Sequence, residues 1–267
     1  MSDPLALCRA GAISPEVALA RLLLAGEAPD AIGARLGAAD GALRALLAGA
    51  GLGAVQAMLR DVDHAPRDVA AVRAMFDAAV ACAPEASVAA FSLGDPAILA
   101  RATAELVAWL EAEALLGPGC DVLDLGCGIG RVAAAVALRV RSVLALDVSP
   151  AMIAEATRRH GRIPGLRFTS TPGRDLAALP DAGFGLILAV DSFPYLVQAR
   201  VAESHVADAA RVLRPGGTLA IFNLSYRGAA ADREDARRWS QAYGLSLHRE
   251  AARPFALWDG LAFTFRR

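Results

Sequence analysis

The sequence predicts an α/β protein: a mostly parallel sheet covered by helices on both faces, closed by an antiparallel strand pair and preceded by an all-α region. Three observations predict it. From about Gly117 onward short β-rich runs alternate with helical ones, the pattern of a doubly wound sheet. The last two β-rich runs are joined by a turn-rich segment with no helix, which makes them antiparallel neighbours. Before Gly117 no convincing strand is present, and Ala, Leu and Arg recur at helical spacing.

In the first region Ser14-Pro15, Pro29-Asp30, Pro66-Arg67 and Asp95-Pro96 mark helix starts, because proline suits the first helical position. Gly26, Gly37, Gly49 and Gly94 mark stops or turns. In the second region the order is Asp121–Leu125 (strand), Arg131–Arg139 (helix), Ser142–Asp147 (strand), Pro150–His160 (helix), Leu166–Ser170 and Phe184–Val190 (strands), Tyr195–Leu213 (helix) and Thr218–Leu224 (strand). Ser246–Arg249 and Leu261–Phe265 form the closing pair, around Pro254 and Gly260. The division falls at about residue 90, with 1–90 as a helical cap or oligomerisation region and 91–267 as the sheet domain.

Composition limits the function. In 267 residues, 55% are hydrophobic and 21% charged, so a core can form and disorder is excluded. Basic and acidic side chains number 27 and 28, which gives no electrostatic reason to expect nucleic acid or an anionic membrane as partner. Every basic chain is Arg, so mechanisms needing a Lys Schiff base or a P-loop Lys are excluded. Cys8, Cys82, Cys120 and Cys127 show neither a zinc-ligand spacing nor a disulfide framework, and no metal site is expected. The start of the chain lacks a signal pattern, and the longest apolar stretch, Val132 to Val148, is broken by Arg139 and Arg141. A soluble cytoplasmic protein is expected.

The densest signal runs from Val122 to Arg131. An apolar strand ends at Leu125, glycines alternate at 126, 128 and 130, and a helix opens at Arg131. Alternating glycines let a ligand approach bare backbone. The next strand ends on Asp147, which can accept both hydroxyls of a ribose. The spacing is G-x-G-x-G, not the G-x-G-x-x-G of nicotinamide cofactors, and Asp124 lies two residues before the first glycine. A dehydrogenase on the same sheet is therefore disfavoured.

With these residues the chain resembles the class I S-adenosylmethionine-dependent methyltransferases. The stretch from Asp124 to Arg131 looks like the family's first motif and that from Leu144 to Met152 like its second. Arg211 to Leu219 is similar to the turn before the fifth strand. The resemblance covers about Phe91 to Arg267 and implies a Rossmann-like seven-stranded sheet with an antiparallel last pair. It implies S-adenosylmethionine as cofactor and S-adenosylhomocysteine as product. Gly126, Gly128, Gly130 and their neighbours Asp124, Cys127 and Arg131 would hold the methionyl part, Asp147 the ribose, and Val148 and Met152 the adenine. The family's acid after the third strand falls on Asp175, beside Leu176, when counted back from Leu179-Pro180. An alignment leaving Pro172 there, with no acid, is the alternative.

Methyl transfer needs a positioned acceptor and, for some acceptors, a base. Asp191 and Tyr195, after the fourth strand, would face the transferable methyl, with Asp191 also touching the cofactor. Asn223, Tyr226 and Arg227, after the fifth, would bind an anionic or aromatic acceptor, or form a self-contained loop. The N-P-P-Y signature of amino-group methylation on nucleobases is absent. Phe91 would be a lid residue. His205 reads as a packed helix residue, and His64, His160 and His248 lie away from the expected crevice. Trp258-Asp259 reads as turn and core packing.

Leu22 to Leu36 followed by Ala42–Leu47 looks like a helix-turn-helix. From Met1 to Arg60 five arginines are matched by five acids, and the would-be reading helix offers only Arg44. A module that caps the site or pairs two subunits as a homodimer fits better. The expected function is methyl transfer to oxygen or nitrogen of a small-molecule acceptor. The alternative is a non-catalytic S-adenosylmethionine-binding regulator whose front end binds DNA.

Overall fold

A computed structural model describes residues 3–49, 51–62 and 66–267; His64 lies outside the described residues. The chain divides into two compact units, and the division is discontinuous rather than a single cut near residue 90. Met1–His64, Ala78–Glu105 and Phe255–Asp259 form a helical unit; Ala65–Asp77, Leu106–Pro254 and Gly260–Arg267 form a sheet unit.

The helical unit is arranged around α2 (Pro15–Leu24), against which α1 (Pro4–Arg9), α4 (Gly41–Leu47) and α5 (Leu52–Asp61) pack, with α3 (Pro29–Arg35) on α4. Proline opens α1, α2 and α3, its fixed φ being already helical. The Ser14 hydroxyl caps α2 by accepting the Val17 N–H at 3.1 Å and donates to the Leu257 carbonyl at 2.9 Å. Leu257 belongs to the loop between the last two strands, and this loop is built into the helical unit. The Glu105 carboxylate accepts the N–H groups of Ala256 and Leu257 at 3.2 and 3.1 Å, and Arg21 pairs with Asp259. Trp258 stacks on Phe255 at 5.4 Å and on Phe91 at 6.1 Å. Phe91 and Trp258 are therefore partners in the packing of this unit.

The helix-turn-helix-like segment is α3 and α4. The Arg44 guanidinium donates to the carbonyls of Leu36 and Gly37 at 2.9 and 2.8 Å, which closes the turn between the two helices. Among the described residues no single helix is long and apolar enough to cross a membrane.

The division cuts α6 (Val69–Cys82) after Asp77 and α8 (Pro96–Ala112) after Glu105; α7 (Pro84–Val88) is short. The sheet unit follows the sequence closely: β1 (Asp121–Leu125), α9 (Arg131–Ala137), β2 (Ser142–Asp147), α10 (Pro150–His160), β3 (Leu166–Ser170), β4 (Phe184–Val190), α11 (Phe193–Gln198), α12 (Ala202–Val212), β5 (Leu213–Phe222), α13 (Ala229–Ala242), β6 (Ser246–Ala252) and β7 (Ala262–Arg266). The strand order is β3-β2-β1-β4-β5-β7-β6, parallel through β5 and antiparallel at β5–β7 and β7–β6. Order reverses between β1 and β4, so the tips of β1, β2, β4 and β5 share one edge at the point where such sheets bind ligands. Leu123, Ile187, Ile221, Phe263 and Phe265 are buried at the sheet's centre. Each such side chain contributes ~1.5–3 kcal/mol of transfer free energy.

Two differences from the sequence reading have local causes. The helix expected over Tyr195–Leu213 is two helices. Arg200, with φ 60°, closes α11: its N–H bonds to the Val197 carbonyl at 3.1 Å and that of Val201 to the Leu196 carbonyl at 2.9 Å. This termination normally uses glycine, and no glycine marks it here. Helix α13 was not anticipated, because its buried stripe is little more than Ala236 and Trp239 in a highly charged segment.

Candidate cofactor and acceptor site

The glycine turn after β1 is fixed by the neighbouring strand. The N–H groups of Gly126 and Cys127 both reach the Leu146 carbonyl of β2, at 2.8 and 2.9 Å. Gly126 has φ +78°, and a Cβ on it would lie 2.3 Å from Ser192 Cβ; the Ser192 hydroxyl donates to the Leu125 carbonyl at 2.5 Å. Gly130 has φ +81°, and its Cβ would lie 2.7 Å from the Phe168 ring. Neither position admits a side chain.

Asp147 is locked into this turn. One carboxylate oxygen accepts the Gly128 N–H at 2.8 Å and the other the Ser149 N–H at 2.9 Å. Each oxygen keeps a lone pair, which is the geometry a vicinal diol requires. Burial pushes the Asp147 carboxyl up to about 6, against the pull of these backbone donors. Asp124 is pushed by burial to about 7, and its Oδ2 has no hydrogen-bond partner. Burial draws the Arg131 guanidinium down to about 10 while Asp124 and Asp191 hold it up, so it stays protonated at neutral pH. A buried carboxylate oxygen lacking a partner, a neighbouring guanidinium and an open diol site suit an amino-acid zwitterion joined to a nucleoside.

The acceptor edge is made by β4 and β5. Asp191 and Asn223, the residues just past the two strands, both have positive φ, 55° and 70°. The Asn223 amide donates to Asp191 Oδ1 at 2.8 Å; the Tyr226 hydroxyl lies 3.3 Å from the same oxygen and 3.4 Å from the Tyr195 hydroxyl. The Tyr195 and Tyr226 rings meet edge-on at 6.0 Å, and Phe76 of α6 meets Tyr195 at 4.9 Å. Burial, with the Asp191 charge second, pushes the Tyr195 hydroxyl up to about 12, so it remains a neutral donor.

The structure thus brings Asp124, Gly126, Gly128, Gly130, Arg131 and Asp147 together, and beside them Asp191, Tyr195, Asn223 and Tyr226, with the Asp191 charge acting on Arg131. Met152 is buried under the cap of α10, its N–H bonded to the Ser149 hydroxyl at 3.0 Å. Val148 is half-buried against Gly173, where a Cβ would lie 2.2 Å from its Cγ1. The Cys127 thiol is buried and pushed well above its ordinary value by desolvation. Asp175 is exposed and accepts the Ala177 N–H at 3.1 Å. Its neighbours dock on α12, the Arg174 carbonyl taking the Ser204 hydroxyl at 2.8 Å and the Leu176 N–H reaching Asp208 at 2.8 Å. Leu176 is a core residue. Gly173, not Asp175, carries the close approach to Val148. Arg227 pairs with Asp235 and with the Ser225 hydroxyl, forming the self-contained loop. His205 is buried in α12 with Nδ1 on the Val201 carbonyl at 2.8 Å. Sequence reasoning missed Ser192 and Asp77, which no local pattern marks. Ser149 could have been read as the cap of α10 from Ser149-Pro150. Among the described residues no group of three His, Cys, Asp or Glu side chains could hold a metal ion.

The strand order and its antiparallel last pair match the fold of Rossmann-like methyltransferases, and part of the sheet domain is similar in sequence to known proteins. Residues 122–217 match the family described as a methyltransferase domain. An uncharacterized methyltransferase of Mycobacterium bovis is 34% identical over 117 residues, 44% of this chain and 56% of the relative. A demethylmenaquinone methyltransferase of Tropheryma whipplei is 36% identical over 108 residues, 40% and 43% of the two chains. The chain spans about half the length of the curated relatives it matches. Among solved structures, the magnesium protoporphyrin IX methyltransferase of Synechocystis with bound S-adenosylmethionine shares the fold, with TM-score 0.55 and 22% identity over 77% of this chain and all of that one.

Proposed function

We propose that this protein transfers a methyl group from S-adenosylmethionine to an oxygen or nitrogen of a small-molecule acceptor. The observation that carries the reading is Asp147, held by two backbone N–H groups with one lone pair of each oxygen left for a ribose. Asp124 would face the amino group of the methionyl part and Arg131 its carboxylate, while Val148 and Met152 would take the adenine. When bound, the cofactor supplies an electrophilic methyl on a sulfonium.

Asp191 would accept the acceptor's proton on its carboxylate, with Asn223 and Tyr226 fixing that carboxylate through bonds to Oδ1. Tyr195 would hold the acceptor by donating its hydroxyl. Phe76 and Tyr195 give this edge an aromatic wall that excludes water. A small acceptor is supported by the even balance of 27 basic and 28 acidic residues, and by the small-molecule substrate named for the Tropheryma relative. Calorimetry tests the reading: S-adenosylmethionine and S-adenosylhomocysteine are expected to bind and NAD not to bind. Release of S-adenosylhomocysteine should follow on adding a hydroxyl- or amine-bearing acceptor. Binding of NAD alone would overturn it.

A further inference from the structure

The segment of α6 from Val69 to Asp77 lies outside every motif that marks the site, yet three of its residues reach it. A Cβ at Gly173 would lie 3.0 Å from Val69 Cγ1, with Val148 on its other side. Phe76 meets Tyr195, as described. Asp77 makes the most directed contact. Its Oδ1 accepts the Ser149 hydroxyl at 2.5 Å and the Ala151 N–H at 3.2 Å, and Arg73 one turn back lies 3.7 Å from Oδ2. Ser149 passes the constraint on: its hydroxyl accepts the Met152 N–H, and its own N–H holds one oxygen of Asp147, whose other oxygen holds Gly128. Asp77, Ser149, Asp147 and the glycine turn form one hydrogen-bonded chain within the sheet unit.

We propose that Asp77 is a positioning residue of the cofactor site, fixing Ser149 and the first turn of α10 and thereby the angle at which Asp147 meets the ribose. This rests on the methyltransferase reading above. Without Asp77 the Ala151 N–H loses its acceptor and the Ser149 hydroxyl is free to turn, so the Ser149 N–H no longer holds Asp147 in one orientation. A neutral amide oxygen could accept both bonds equally well. Asp77 therefore acts through geometry, since its negative charge only opposes that of Asp147.

The test is calorimetric titration of the full chain with S-adenosylhomocysteine. Asp77→Ala should raise Kd about tenfold, and Asp77→Asn should stay within threefold of the wild type. Because Asp77 works through Asp147, Asp77→Ala combined with Asp147→Ala should bind no more weakly than Asp147→Ala alone. Ser149→Ala, which removes the hydroxyl that Asp77 holds, should reproduce the tenfold loss and carries the test if Asp77→Ala fails to fold. Wild-type affinity in Asp77→Ala or Ser149→Ala, equal losses in Asp77→Ala and Asp77→Asn, or additive losses in the double variant would each overturn the proposal. Failure of the unaltered protein to bind S-adenosylhomocysteine overturns the functional reading itself.

Discussion

The two halves of the sheet edge are built by different means. At β1 and β2 the proposed cofactor surface is glycine backbone flanked by Asp124 and Arg131, with Asp147 pinned by two N–H groups. At β4 and β5 the surface is side chains, displayed by two residues with left-handed backbones and tied to one another through Asp191. On the proposed reading the first half would hold the cofactor and the second the acceptor. The second can change its clientele by substitution without disturbing the strands, because loops on a rigid edge tolerate variation.

The largest expected effect separates the halves most sharply. Asp191→Asn should lower turnover about 10²–10³-fold, the usual contribution of a positioned base. Its Kd for S-adenosylhomocysteine should stay within about threefold of the wild type. Equal losses in both measurements would show that the halves are not independent. Asp147→Ala should act on the other side, weakening S-adenosylhomocysteine about 100-fold in calorimetry through two lost charge-assisted bonds of ~1.5 kcal/mol each. Unchanged affinity would remove the ribose from this position.

Acidity gives the most graded effect, about tenfold over the first unit below neutrality. Asp147, raised to about 6, must be ionised to accept the diol, and Asp124, raised to about 7, must be ionised to face an ammonium group. For a carboxyl the ionised form gains as pH rises, so affinity should be constant above about pH 8. It should fall about tenfold per unit between 7 and 6 and more steeply below, since each proton taken up excludes the ligand. Titrations from pH 5 to 8 would show it; an affinity flat down to pH 5 would mean that neither carboxylate contacts the ligand.

The same contrast explains what the sequence revealed. Glycine at 126, 128 and 130 and an acid closing β2 are local facts, and the strands from β1 to β4 have the bounds that their β-rich runs predict. Asp191 and Asn223 were legible as positions just past strand tips, but their mutual bond was not, since it joins residues 32 apart. Arg227 looked available because its ion pair with Asp235 depends on α13, whose sparse apolar stripe hid it. Asp77 was invisible for a similar reason: its partner lies 72 residues downstream. Arg200 ending α11 without glycine is a backbone choice that residue type alone did not announce.

The loop from Phe255 to Asp259 has a consequence for biogenesis. Ser14 finds its carbonyl partner 243 residues later, and Arg21 its carboxylate 238 residues later. A chain emerging from the ribosome therefore presents α2 long before its packing can be completed. Helix α2 must wait, partly bare, until the residues 238 and 243 positions further on have been made.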